Sequence, residues 1–139
     1  EMKRFFMTKD DAINLIISAA TIAKGGETFV LKMPLIRLKD LFDSMKEVLA
    51  SKYGYKPSQI KTKIIGIRPG EKLIEYLLTK FEMEHVLETK DFFIIPSLNI
   101  SRKQISYPNI QKSKNDKLYF ENMSTLSKQE ILSLLKKLY

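Results

Sequence analysis

Residues 64–78, "IIGIRPGEKLIEYLL", open as a β-rich apolar run and close with apolar residues at helical spacing. The change from strand to helix falls on one joint, Arg68-Pro69-Gly70-Glu71. Pro69 fixes its own φ and disfavours a helical backbone at Arg68, which keeps Arg68 extended at the strand end. Gly70 admits a sharp turn and the close approach of a ligand. Glu71 then falls in the first helical turn. There the planar Arg68 guanidinium suits two phosphate oxygens, and the first-turn N–H groups add anion donors. The Glu71 carboxylate can accept from two vicinal ribose hydroxyls. The same residues also fit a plain strand-to-helix turn, with Arg68 and Glu71 as a surface ion pair and Glu71 favouring the helix dipole. The joint alone admits both readings.

Working outward, helices and strands alternate. "MTKDDAINLIISAATIA" predicts a helix capped by Thr8 with Asp11 three residues on. Its Ala12, Ile13, Ile16, Ile17 and Ala20 recur at helical spacing, and Gly25 and Gly26 stop it. "ETFVLKM", Glu27 to Met33, predicts a strand ended by Pro34. "IRLKDLFDSMKEVLASKYG" predicts a second helix with Leu38, Leu41, Phe42, Met45, Val48 and Leu49 on one face and Gly54 past its end. Next come a strand over "KTKIIGI", the joint, and a third helix to about Phe81.

"DFFIIPSLNI" predicts a strand broken at Pro96, and residues 101–125 read as loop with room for one short strand. "LSKQEILSLLKKLY" predicts a terminal helix with a Ser127–Glu130 capping box and Lys136 and Lys137 at its negative end. The order predicts the α/β class and a single segment over residues 1–139: core 1–100, loop-rich 101–125, helix 126–139. Three or four short strands offer little surface to so many amphipathic helices, so the pattern implies a partner that covers the rest.

Composition narrows the class. The chain has 139 residues, 44% hydrophobic and 29% charged, and no cysteine, which excludes disulfide frameworks and thiolate metal sites. A lone His85 excludes the usual multi-histidine metal sites within this chain. No apolar run is long enough to span a bilayer and no signal-peptide pattern is present, so a cytoplasmic protein without a membrane partner is expected. The net charge of +8 is unevenly spread: residues 101–139 hold 8 basic and 3 acidic residues, and the first hundred hold 16 and 13. It reads chiefly as a solvated lysine-rich surface and secondarily as attraction for an anionic ligand; nucleic acid is the lesser candidate.

Four blocks, "MKRFFMTKDDAINLI", "GGETFVLKMPLIRLKDL", "TKIIGIRPGEKLIEYLL" and "KDFFIIPS", resemble in order and spacing the C-terminal half of inverting UDP-N-acetylglucosamine 4,6-dehydratases. These belong to the extended short-chain dehydrogenase/reductase superfamily. The resemblance covers residues 2–97. It implies the substrate-binding part of a Rossmann-type enzyme, with the N-terminal dinucleotide-binding part absent. By position, Arg4 would contact the substrate diphosphate, Arg68 the phosphate or ribose region, and Glu71 the ribose hydroxyls. Lys32 and Pro34 would shape the backbone nearby. Of the family's Ser-His-Asn before the last helix, only Asn122 is kept, in Phe120-Glu121-Asn122, as a substrate contact.

No Gly-x-Gly-x-x-Gly turn occurs here, so NAD(P) is expected in the missing N-terminal part and none in this chain. A formal Tyr-x-x-x-Lys, Tyr76 and Lys80, lies downstream of the place where the family carries its catalytic pair, and no catalytic residue is assigned. The implied partners are a UDP-sugar and either the chain's own N-terminal domain or further copies of itself. Two other readings stand beside this one: a basic polyanion-binding module, and a non-catalytic interaction domain derived from the sugar-binding fold.

Overall fold

The computed structural model describes residues 1–97, 107, 110–112 and 123–139. Its contacts divide the chain into two compact units, each assembled from separated segments. Helices and small sheets mix in both, as the predicted class requires. The ladders between its strands are antiparallel, and the one parallel pairing among the described residues is an isolated bridge between Leu35 and Thr125.

The first unit comprises Glu1–Phe6, Pro34–Glu75 and Ser124–Tyr139. Strands β1 (Lys3–Phe5) and β3 (Leu35–Arg37) pair antiparallel, placing Arg4 opposite Ile36. Sequence reading began the second helix at Ile36. In the structure β1 holds Leu35–Arg37 as a strand, and α2 runs Leu38–Leu49 with Leu38 N–H donating to the Met2 carbonyl (3.0 Å). A turn of 3-10 helix, Ser51–Tyr53, ends at Gly54 in the left-handed region (φ 77°), the role predicted for that glycine.

Helix α4 (Lys128–Leu138) starts at the predicted Ser127–Glu130 capping box. Ile36, Ile131 and Leu135 form the core, against Phe6, Leu41, Met45, Val48 and Leu126. Phe42, expected inside, is exposed. Ser44 is fully buried on α2 and its hydroxyl has no hydrogen-bond partner among the described residues. An unmade bond costs more than an absent group, so Ser44→Ala is expected to leave the melting temperature unchanged or raise stability by about 1 kcal/mol; thermal denaturation measures it.

The second unit comprises Met7–Met33 and Tyr76–Met123. Helix α1 (Lys9–Ile22) opens with a full capping box between Thr8 and Asp11 and lies against β2 (Thr28–Leu31). Strands β2, β5 (Phe92–Ile95), β4 (Leu87–Glu88) and β6 (Gln111–Lys112) form one antiparallel sheet in that spatial order. The two-residue β4 was not foreseen. It is set by a tight turn in which Thr89 N–H donates to the Phe92 carbonyl (2.9 Å) and Phe92 N–H to the Thr89 hydroxyl (3.0 Å). Leu78, Val86 and Phe93 make this core, with Val30, Leu77, Met83 and Ile95 packed on it.

Two predicted elements are corrected. "KTKIIGI" is not a strand: no described strand pairs with it, and Ile64 and Ile65 are 91% and 67% exposed. Apolar residues on both faces mark a strand that needs cover on both sides and a ladder neighbour, and this unit supplies neither. The helix expected from Glu71 to Phe81 is also absent. Residues 73–74 and 77–78 are bends in an otherwise irregular stretch, and of this segment only α3 (Lys80–His85) is helical, begun by a Thr79–Glu82 capping box. Among the described residues, no helix is long and apolar enough to cross a membrane.

Candidate functional site

Three of the four residues named from sequence lie in the first unit. Arg4 sits on β1, where its Nη1 donates to the Lys3 carbonyl (2.7 Å) and, at 3.4 Å, to the Leu73 carbonyl. Lys3 N–H also donates to Leu73 O (2.8 Å). The Leu73 carbonyl therefore fastens the chain just beyond the joint to β1 and brings Arg4 beside it. Asn122 lies outside the described residues.

The joint itself is a closed turn. Glu71 N–H donates to the Arg68 carbonyl (3.0 Å), and Gly70, at φ 84°, takes the left-handed position that a type II turn with Pro at its second residue requires. The Glu71 carboxylate reaches back through Oε2 to the Arg68 N–H (2.8 Å). Both ends of the turn are thereby locked by backbone contacts. The ion pair of the plain-turn reading is not what forms: Glu71 bonds the Arg68 backbone, and the exposed guanidinium pairs with no described residue. Since no helix follows Glu71, first-turn N–H groups supply no anion donors here. The anion chemistry of the joint falls on the guanidinium.

Of the other residues singled out from sequence, Lys32 and His85 make contacts within the second unit. Lys32 Nζ lies 2.5 Å from both Glu88 Oε1 and the Thr89 carbonyl, and 5.1 Å from the Phe93 ring centroid. Pro34, in the first unit, accepts from Phe6 N–H (3.0 Å). Tyr76 precedes α3 and Lys80 begins it, so their spacing does not put the two on one helical face. His85 ends α3, its Nδ1 3.0 Å from the Phe81 carbonyl and its ring stacked on Phe81. No cluster of three or more metal-ligating side chains gathers among the described residues.

The Gly25-Gly26-Glu27 block holds a contact that sequence reading missed. Glu27 accepts from Lys24 N–H (2.6 Å), Gly25 N–H (2.7 Å) and the Tyr107 hydroxyl. Partial desolvation pushes its carboxyl up, but these bonds to the ionised form outweigh it and hold the pKa at about 2. Desolvation and the same carboxylate push the Tyr107 hydroxyl up. A lowered carboxyl pKa stabilises the fold above the unfolded value of 4.5, and that stability is lost as pH falls from there to about 2. Melting temperature should therefore drop across this window, and Glu27→Gln should flatten the drop.

Residues 1–97 match the family model described as polysaccharide biosynthesis protein. An uncharacterized membrane protein of Methanocaldococcus jannaschii is 40% identical over 99% of this chain, which spans 39% of that protein. The inverting UDP-N-acetylglucosamine 4,6-dehydratase of Campylobacter jejuni is 29% identical over 73% of this chain and 28% of its own length. The X-ray structure of Pen from Bacillus thuringiensis superposes with a TM-score of 0.77 and 38% identity, over 99% of this chain and 39% of that one. The chain thus spans about two fifths of the length of the proteins it matches from end to end.

Proposed function

The chain belongs to the polysaccharide biosynthesis protein family, and from that premise we propose that it is the UDP-sugar-binding part of a nucleotide-sugar 4,6-dehydratase or epimerase of the UDP-N-acetylglucosamine type. The observation that carries the reading is the joint. A locked turn presents an exposed guanidinium with no described partner, and the segment just beyond it is fastened beside a second arginine, Arg4.

In this reading Arg68 takes two oxygens of the diphosphate through its planar fork, and Arg4 adds a second positive charge. Glu71 spends one carboxylate oxygen on the Arg68 N–H and keeps the other for a ribose hydroxyl. Asn122 is proposed as a further substrate contact.

This sequence holds no glycine-rich dinucleotide turn. Its residues do not fit a nicotinamide dinucleotide, and NAD(P) is assigned to a separate dinucleotide-binding part. The chain's own task is to hold and orient the nucleotide-sugar in the cytoplasm. The exposed Ile64 and Ile65 support a further partner, since a soluble chain rarely leaves such a run uncovered.

Titration calorimetry with UDP-N-acetylglucosamine tests the reading. Binding of one equivalent, displaced by UDP and without 4-keto product when NADP is added, is the expected result. Failure to bind either nucleotide overturns it. Oligonucleotide binding with steep salt dependence and no competition from UDP would assign the chain to polyanion binding instead.

A further inference from the structure

We propose that the diphosphate of a nucleotide-sugar closes the exposed segment 56–72 onto β1, by bridging Arg68 on the segment and Arg4 on the strand. The inference rests on the UDP-sugar reading and adds to it a ligand-driven change in the chain itself. Segment and strand both belong to the first unit.

Every residue from 56 to 72 is exposed. The segment is pinned at its two ends. Tyr55 N–H donates to the Ala50 carbonyl (2.8 Å), and the Leu73 carbonyl accepts from Lys3 N–H (2.8 Å) and from Arg4 Nη1 (3.4 Å). Between these pins, among the described residues, one hydrogen bond reaches the rest of the unit: Lys46 Nζ to Thr62 Oγ1 (3.1 Å). The remaining hydrogen bonds of 56–72 are local turns, Lys56 with Gln59, Pro57 with Ile60 and Arg68 with Glu71.

Charge accounts for a segment that stands away from its neighbours. Residues 56–72 carry Lys56, Lys61, Lys63, Arg68 and Lys72 against the single carboxylate of Glu71. That carboxylate is turned back on the Arg68 N–H (2.8 Å). The strand on the other side carries Lys3 and Arg4. Like charges on both sides oppose closure, and an anion held between them reverses the sign. The acids of α2 are already paired, Asp40 with Arg37, Asp43 with Lys46 and Glu47 with Lys128, which leaves the role to an external anion.

A diphosphate suits it, because its two phosphates can give each guanidinium a pair of oxygens. Arg4 then serves twice, through Nη1 on the Leu73 carbonyl and through its other donors on phosphate. Since both ends of the segment are already fixed, one more tie removes little chain entropy.

Limited trypsin digestion of the 139-residue chain tests the bridge, with UDP as the ligand and calorimetry to set saturation. Saturating UDP should slow cleavage after Lys61 and Lys63 at least about fivefold, the lower end of coupling between sites. Arg4→Gln and Arg68→Ala, each saturated at its own higher UDP concentration and checked for folding by circular dichroism, should show no slowing. Each variant keeps only one side of the bridge, so any general stabilisation by bound UDP remains in it while the closure is lost. UDP bound by the parent with cleavage unchanged overturns the inference and leaves the UDP-sugar reading standing. Protection in either saturated variant equal to that of the parent also overturns it. A parent that binds no UDP overturns the reading and the inference together.

Discussion

Arg68→Ala is expected to weaken binding of UDP-N-acetylglucosamine by tenfold to a few hundredfold while leaving the fold intact. Each hydrogen bond between charged groups contributes about 1.5–3 kcal/mol, and about 1.4 kcal/mol is a tenfold change in affinity. The fold should tolerate the change, because the guanidinium bonds no described residue while the turn is held by the Arg68 backbone. Alanine keeps that N–H and carbonyl. Arg68→Lys separates charge from geometry: it keeps the cation but loses the two-pronged donor, and should fall between parent and alanine. The readouts are a calorimetric dissociation constant and a thermal scan on each variant. An unchanged dissociation constant in Arg68→Ala would remove Arg68 from the site. A lowered melting temperature in the same variant would show that the side chain has a structural role instead.

What could be read from sequence divides by distance along the chain. Thr8 with Asp11, Ser127 with Glu130, Gly54 past its helix and the Pro69-Gly70 turn were all legible, because each is decided within four residues. The Thr79–Glu82 box has the same signature and was overlooked, since the apolar spacing of Leu73, Ile74, Leu77 and Leu78 suggested one continuous helix. That spacing misled for a physical reason. The run is shared: Leu73 belongs to the first unit and is exposed, while Leu77 and Leu78 belong to the core of the second. A periodic pattern marks a helix only when all its members bury in one place.

Long-range contacts left no such signal. Arg4 reaches the Leu73 carbonyl 69 positions away, and Glu27 meets Tyr107 across 80. The joint was therefore identifiable as a turn, whereas the choice between an Arg68–Glu71 ion pair and an unpaired guanidinium, and the joint's attachment to β1, were not. Strand β3 illustrates the same limit from the other side. Ile36 and Arg37 read as the start of a helix until β1 is known to lie beside them, and the ladder then overrides the local preference.

Phe93→Ala should produce the largest loss of stability of any change considered, about 3–5 kcal/mol, the range for truncating a buried aromatic side chain. Phe93 is 1% exposed on β5, which has β2 on one side and β4 on the other, and its side chain packs with Leu78 and Val86. The Lys32 ammonium lies 5.1 Å from its ring centroid while bonding Glu88. Truncation therefore opens a cavity at the centre of the sheet and removes the surface that positions an ion pair at its rim. Because a chain of this size gains only about 5–15 kcal/mol on folding, the variant loses a large share of its stability, and its melting temperature should fall by about 10–15 °C. Phe93→Leu, which refills most of the volume, should recover more than half of the deficit. Urea denaturation followed by circular dichroism measures both. A loss below about 1 kcal/mol in Phe93→Ala would mean that the Leu78, Val86 and Phe93 cluster is not the core of its unit, since no side chain so fully enclosed can be cut back that cheaply.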